Sequence, residues 1–324
     1  MTPHFPTDSL STPSAAQNRQ AQKRPCRCCV AREKAIALTL FDTLPAWCGP
    51  LTPGVQAVNL SADPALGTLW VNLGNDWPRM LHQLPALGPG LLMSRNEAAI
   101  LGCRQSYPTL YFTSPQTKAA NAEAGLWLDC RNFGSARALH TRREYANVFG
   151  VEFTDTNGRI THRFSLTPDS DLEEFCGWVR LHQACPAQPA SAIEEAQMST
   201  SGGELDDAQI SDPGAVLAVI NGCLQRKLPL RATVFAHAVR QRATFVPRSL
   251  QCADGWWFAS DDATGLHFRS ELFSRVGVSP ILGQEFHVAP VVHAETDDDA
   301  PALILELGDP VRATEWNALV HELI

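Results

Sequence analysis

Apolar residues along this 324-residue chain fall into two spacings. Most recur at every second position in short runs, the mark of a half-buried strand. A few recur three and four apart, the mark of a helix. Strands are predicted at 68–73, 91–93, 98–103, 110–113, 125–129, 136–141, 148–155 and 159–167, and again at 231–239, 243–246, 255–260, 265–269, 273–278 and 302–307. Asp155-Thr156-Asn157-Gly158 separates two alternating runs, and Asn-Gly in that setting predicts a hairpin. Asp76-Trp77-Pro78 opens a helix with a capping aspartate and a first-turn proline, and its apolar face carries Met80, Leu81 and Leu84. Ser170 and Glu173 fit a capping box ahead of the stripe Leu172, Phe175, Cys176 and Val179. Residues 214–226 and 312–324 predict two more helices, the last burying Trp316, Leu319, Val320 and Leu323. A short helix at 33–44 ends at Pro45, and the polar stretch 116–124 reads as a loop.

The order of these elements points to duplication. Gly125-Leu126-Trp127-Leu128-Asp129 pairs with Gly255-Trp256-Trp257-Phe258-Ala259, and an amphipathic helix closes each unit. The predicted fold is α+β: two tandem similar units, each an antiparallel β-sheet with flanking helices. The first unit spans 33–185 and the second 214–324. Residues 186–213, poor in aromatics and rich in Ser, Gly, Pro and acids, read as the linker. Residues 1–32 read as a flexible leader in which Cys26, Cys28 and Cys29 stand beside Arg24 and Arg27.

Composition narrows the function. The chain is 44% hydrophobic and 19% charged, which is a globular balance. A net charge of -8 argues against nonspecific nucleic-acid binding, which needs lysine and arginine to neutralise phosphates. No run approaches the roughly 20 apolar residues of a membrane span, so no membrane insertion is expected. The leader lacks an apolar core of signal-peptide length, and a cytoplasmic location follows as the default. The C-x-C-C cluster has poor spacing for zinc and reads as free thiols. Cys103, Cys130, Cys176, Cys223 and Cys252 stand among apolar residues and are expected to be small buried fillers. Phosphate-loop, dinucleotide and metalloprotease patterns are absent, and Asp297-Asp298-Asp299 reads as a charged loop.

Several segments, in order, resemble the HemS/ChuS-type haemin transport and degradation family. They are DWPRMLHQLPALGPGLLMSRNE (76–97), AGLWLD (124–129), EFTDTNGRITHRF (152–164), VFAHAVRQRATF (234–245), GWWFASDDATGLHFRSELF (255–273) and EWNAL (315–319). The resemblance covers most of residues 75–324. It implies tandem repeats of large antiparallel sheets that bind haem between the halves, the iron held by an imidazole. It also implies haem uptake or degradation proteins as partners, and haem trafficking or degradation in the cytoplasm, carriage ranking ahead of an enzymatic role. At the place of the family's usual axial histidine, residues 212–216 carry none, and the family's Asp-Leu-Arg strand is missing. A divergent repeat protein that has lost haem and acts through protein contacts is the alternative.

Haem asks for an imidazole on iron and for arginines on its propionates. His267 matches the family's Leu-His strand pair and is the candidate metal ligand; an ordinary strand histidine is the other reading. His237, on the predicted strand 231–239, is a second candidate or a core histidine. His82 is a third, by its place before Arg95. Arg95 matches the family's Arg-Asn-Glu. Arg137, Arg142 and Arg143 form one basic group, and Arg240, Arg242 and Arg248 another; each reads as a carboxylate anchor or as a solvated strand edge. His162 is expected to be structural, and His287 and His293 to lie in an exposed Pro-rich loop.

Overall fold

Asp155-Thr156-Asn157-Gly158 folds as its residues require. Gly158 takes a φ of 78°, and the Asp155 carboxylate accepts the backbone N–H of Asn157 and of Arg159, both at 2.9 Å. This hairpin belongs to a computed structural model that describes residues 57–58, 67–113, 117–143, 146–183, 212, 214–280, 290–296 and 301–322. The expected leader with its cysteines at 26, 28 and 29, the helix at 33–44, His287, Leu323 and Asp297-Asp298-Asp299 lie outside those residues, as does all of the linker but Asp212.

β1 (Ala57–Val58) and β2 (Gly67–Asn72) lead into α1 (Trp77–Gln83). A hairpin follows, β3 (Pro89–Arg95) and β4 (Ala99–Ser106), then β5 (Tyr111–Phe112), β6 (Lys118–Asn121) and β7 (Leu126–Asp129). A meander of β8 (Phe133–Arg143), β9 (Ala146–Asp155) and β10 (Ile160–Leu166) ends in α2 (Leu172–His182). The second half opens with α3 (Gly214–Arg226) and the hairpin β11 (Leu230–Ala236) and β12 (Val239–Phe245). It continues through β13 (Ser249–Ala253), β14 (Trp256–Ser260) and β15 (Thr264–Phe268) to the meander β16 (Arg275–Pro280), β17 (Pro290–Glu295) and β18 (Pro301–Leu307), and closes with α4 (Ala313–His321).

All pairings are antiparallel, and they build two sheets on one scheme. The ten-stranded sheet runs β1-β2-β8-β9-β10-β3-β4-β15-β14-β13; the eight-stranded sheet runs β16-β17-β18-β11-β12-β7-β6-β5. In each, a meander joins a hairpin of the same half, and the hairpin then pairs with three strands lent by the other half. Register repeats the scheme at an offset of 140 residues. Ser94 faces Leu101 in the first hairpin, as Val234 faces Gln241 in the second. Leu126 faces Gln241 across one joint, as Leu266 faces Leu101 across the other.

This register corrects the sequence-level pairing of the two halves. Gly125-Leu126-Trp127 is equivalent to Gly265-Leu266-His267 on β15, whereas Gly255 opens β14. The expectation was one strand out because a glycine followed by aromatics is the more visible pattern. Other differences have local causes. Within the predicted loop 116–124 lies β6, whose Ala119 is buried against β7 opposite Leu128. β13 escaped because it is an edge strand with a mostly exposed, polar face. β17 begins at Pro290 and carries His293, which is half-buried on a strand and not in an exposed loop.

Because strands are exchanged, each core draws on both halves. Trp77, Met80 and Leu81 of α1 and Phe175 and Val179 of α2 pack on Val151, Phe153 and Phe164, with Val239 from the second half completing the cluster. Val219 and Ile220 of α3 and Trp316 and Leu319 of α4 pack on Leu230, Val234 and Leu305, with Ala99 and Leu101 from the first half. Burying side chains of this size stabilises by roughly 1.5–3 kcal/mol each.

Candidate functional site

The two equivalent hairpin turns meet. Arg95 ends β3 and is followed by Asn96 and Glu97; 140 residues on, Phe235 and Ala236 end β11 and are followed by His237. Asn96 binds the turns together. Its amide nitrogen donates to the carbonyls of Phe235 (2.7 Å) and Ala302 (2.9 Å), and its oxygen accepts from the N–H of Ala98 (2.9 Å) and Ala99 (2.7 Å). With both ends of the amide satisfied, the side chain has one favoured orientation. From the other side, Asn132 donates to the carbonyl of His237 at 3.3 Å.

Against these turns lie the β9–β10 hairpin and one face of β8. Together they border a half-open cleft of ≈ 430 Å³, whose lining includes Arg95, Glu97, Arg137, Asp155, Arg159 and His237. The apolar part of its wall comes from Ile160 and Ala236. A volume of this size is within the usual range for small-molecule sites.

The charges in the cleft are unequally committed. Glu97 pairs with Arg159 at 2.6 Å, though both side chains are about two-thirds exposed (65% and 66%), so the pair adds little stability. Asp155 is buried and its Oδ1 is taken up by the hairpin. Arg137 stacks over Trp70 with 5.6 Å to the ring centroid and stands 4.0 Å from Glu152, a carboxylate it shares with Arg163 at 3.2 Å. The Arg137 Nε is nevertheless buried without an acceptor. Arg95 is exposed, and among the described residues no hydrogen bond or ion pair is recorded for it. Two guanidiniums therefore retain donors beside an exposed imidazole, an arrangement suited to a carboxylate-bearing ligand.

Of the residues singled out from the sequence, Arg95, Arg137 and His237 line the cleft. His237 occupies the β11–β12 turn and is exposed, which overturns its reading as a core histidine; the predicted strand 231–239 ran through a turn. His267 lies elsewhere, on β15, half-buried with its ring 4.3 Å from that of Phe258, and burial lowers its pKa. It faces away from the buried Leu266 and Phe268, as the pleat requires. His82 is exposed in the last turn of α1, outside the cleft lining. Arg137 represents the first basic group; the side chains of Arg142 and Arg143 lie outside the described residues. Arg240 and Arg242 stack on Trp127, and Arg248 forms a surface ion pair with Asp262.

Sequence reasoning missed Asn96 and Arg159. The signals were there: Asn96 follows Arg95 in a turn, and Arg159 follows the Asn-Gly hairpin. His162 is structural, as expected. Fully buried, its Nδ1 bonds Ser94 at 2.8 Å and its Nε2 bonds the Tyr107 hydroxyl at 3.2 Å, and burial drives its pKa down to about 3. His140, also buried, stacks on Phe149 with centroids 4.5 Å apart. Cys103, Cys130, Cys176 and Cys223 are buried as predicted, but Cys252 is exposed because it is on the edge strand β13. Burial pushes the Cys130 and Cys223 thiols up to about 12, which makes them poor nucleophiles. Among the described residues no group of three or more His, Cys, Asp or Glu could hold a metal ion, and no helix is long and apolar enough to cross a membrane.

No protein-family model matches the chain, and no curated protein matches it by sequence. Solved structures do resemble it. Holo-PhuS, a haem-binding protein from Pseudomonas aeruginosa, superimposes with a TM-score of 0.65 at 18% identity, over 79% of this chain and 87% of its own. The haem-degrading enzyme ChuS of Escherichia coli O157:H7 superimposes with a TM-score of 0.68 at 14% identity, over the same 79% and 87%. A second structure of ChuS, described as an E. coli haem oxygenase, gives 0.66 at 13% identity over 79% and 89%. The chain has the α+β fold of these proteins.

Proposed function

We propose that the protein binds haem in the cleft between the two hairpin turns and takes part in cytoplasmic haem or iron trafficking, or in haem degradation. One observation carries this reading: the guanidiniums of Arg95 and Arg137 and the imidazole of His237 converge on a single cleft, in a fold shared with a haem-binding protein. The residues fit the ligand. Arg137, whose side chain lines the cleft, would offer a propionate its guanidinium, and exposed Arg95 would offer a fork for a second. His237 supplies the imidazole that iron accepts. Ile160, Ala236 and the stem of Arg137 would give the ring apolar contact. Asn96 holds the two turns at their spacing.

In this reading the units 33–185 and 214–324, joined by 186–213 and preceded by the leader 1–32, exchange strands, and the cleft forms where their hairpin turns meet. Carriage ranks ahead of degradation because a cleft with a small apolar wall leaves much of a macrocycle open for transfer. Haem itself supplies the oxygen-activating centre in any degradation; the chain's residues bind and orient it. The partners would be proteins of haem uptake or degradation.

The absence of histidine from α3, GAVLAVINGCLQR, favours a second reading: a divergent protein that has lost haem and works through protein contacts. A haemin titration followed by absorbance separates the two. Saturable binding with a sharp Soret band, weakened about tenfold or more by Arg137→Gln, is expected for a charge-assisted propionate contact. A broad, unsaturable spectrum identical in wild type and variant would leave the second reading. With haemin bound, reductant and oxygen then distinguish carriage from degradation by the presence of biliverdin.

A further inference from the structure

Across the joint between β7 and β12, Trp127 faces Arg240, and Arg242 stands diagonally beside them. Both guanidiniums stack on the one indole, Arg240 at 3.9 Å and Arg242 at 4.9 Å from its centroid. Arginine over tryptophan is a favourable pairing, but two cations on a single ring repel each other. No carboxylate is recorded against either among the described residues; Arg242 donates to the Ala122 carbonyl at 3.4 Å. Several surface arginines do find acids, Arg104 with Asp169, Arg226 with Glu322 and Arg269 with Glu271, whereas Arg95 in the cleft, like this pair, does not. The fold does not impose the pair. At the equivalent joint the three positions are His267, Ile100 and Gly102, and none of them bears a fixed charge. Lys118, on β6, adds a third cation nearby, opposite Asp129, which is itself bound to Arg131 at 2.7 Å.

We propose that Trp127, Arg240 and Arg242 form a binding site for a phosphate dianion, separate from the cleft and independent of haem. The indole holds the two forks in place, so that little side-chain freedom is lost on binding. Two planar forks present more donors than a single carboxylate can accept, and they suit the oxygens of a tetrahedral dianion. The phosphate can be free or the head of a small phosphate monoester, since the platform is open to solvent on the outer face of the eight-stranded sheet.

The test is calorimetric titration of the full chain, without haemin, at pH 8 and low salt, using inorganic phosphate, glycerol phosphate and succinate in turn. Phosphate is expected to bind in the millimolar range or tighter. Arg240→Gln and Arg242→Gln should each weaken it by about tenfold, the loss of one charge-assisted hydrogen bond. Arg248→Gln, at an arginine already paired with Asp262, should leave it unchanged. Tighter binding of glycerol phosphate than of phosphate would name the monoester as the source; equal binding would name the free ion. Equal affinity in wild type and in folded Arg240→Gln protein would overturn the site. Succinate binding as tightly as phosphate would overturn the assignment to phosphate. Arg240 is exposed and Arg242 half-buried, so the variants should fold, which circular dichroism checks.

Discussion

The two joints that knit the halves together share a backbone plan and differ in chemistry. At β4–β15, Ile100 faces His267, whose other neighbour is Phe258, and Gly102 faces Gly265. At β7–β12 the same positions are Arg240, Trp127, Ala120 and the Arg242–Gly125 contact. The core beneath has diverged as well. Ser94 and His162 are a buried polar pair in the ten-stranded sheet, and the equivalent pair in the eight-stranded sheet is Val234 and Leu303. Backbone pairing dictates where a side chain points but not what it is. A duplicated scaffold can therefore present an aromatic strip on one sheet and a cationic platform on the other.

The largest predicted effect comes from the buried pair. The His162 pKa is lowered from the ordinary 6.5 to about 3, so the folded protein refuses a proton that the unfolded chain accepts. The stability that His162 contributes is present above about pH 6.5 and is lost as pH falls toward 3, at about 1.4 kcal/mol per unit. By pH 4 that loss is on the order of 3 kcal/mol. Installing the second sheet's residues, Ser94→Val with His162→Leu, should remove this part of the acid sensitivity. Urea unfolding of both proteins at pH 7 and pH 4 measures it, and equal acid sensitivity would break the comparison.

Next in size is a pair of equivalent glycines. Gly125 has a φ of 67°, and a Cβ there would run into the Arg242 carbonyl. Gly125→Ala should cost about 2–3 kcal/mol, from strained backbone and a clash with backbone atoms that cannot step aside. At Gly265 the neighbour is the Phe258 ring, 2.7 Å from an added Cβ, and a ring can turn. Gly265→Ala should cost about 1 kcal/mol. Thermal melts of the two variants should fall in that order; the reverse order would mean that the joints are not built alike. The smallest effect is at the platform. Arg240→Gln should change stability by under about 1 kcal/mol, the scale of an exposed cation–π contact, whereas removing a structural strut would cost more.

Much of this fold was legible wherever one local rule decided the outcome. The Asp76 cap, the Asn157-Gly158 hairpin and the stripe along α2 formed as their residues predict. Strands whose pattern is set by neighbours were not legible. β6 is alanine-rich because Ala119 is packed under β7, and β13 is polar because it has only one partner. The exchange of strands between halves left no trace in periodicity, since β7 would look the same in either sheet. Of the site, Arg95, Arg137 and His237 were named from the sequence, but the meeting of Arg95 and His237 depends on two turns brought together by Asn96, a contact between positions 139 residues apart. His267 was named for its strand, and the structure sets it beside Phe258, outside the lining of this cleft.

The central claim is that the imidazole in the cleft, and not the one on β15, meets the iron. Electron paramagnetic resonance and absorbance spectra of the haemin-loaded protein test it, with His237→Ala and His267→Ala compared against wild type. The account predicts that His237→Ala alters the axial-ligand signal and weakens binding, while His267→Ala leaves both as they were. A signal that survives His237→Ala and is lost in His267→Ala would contradict it.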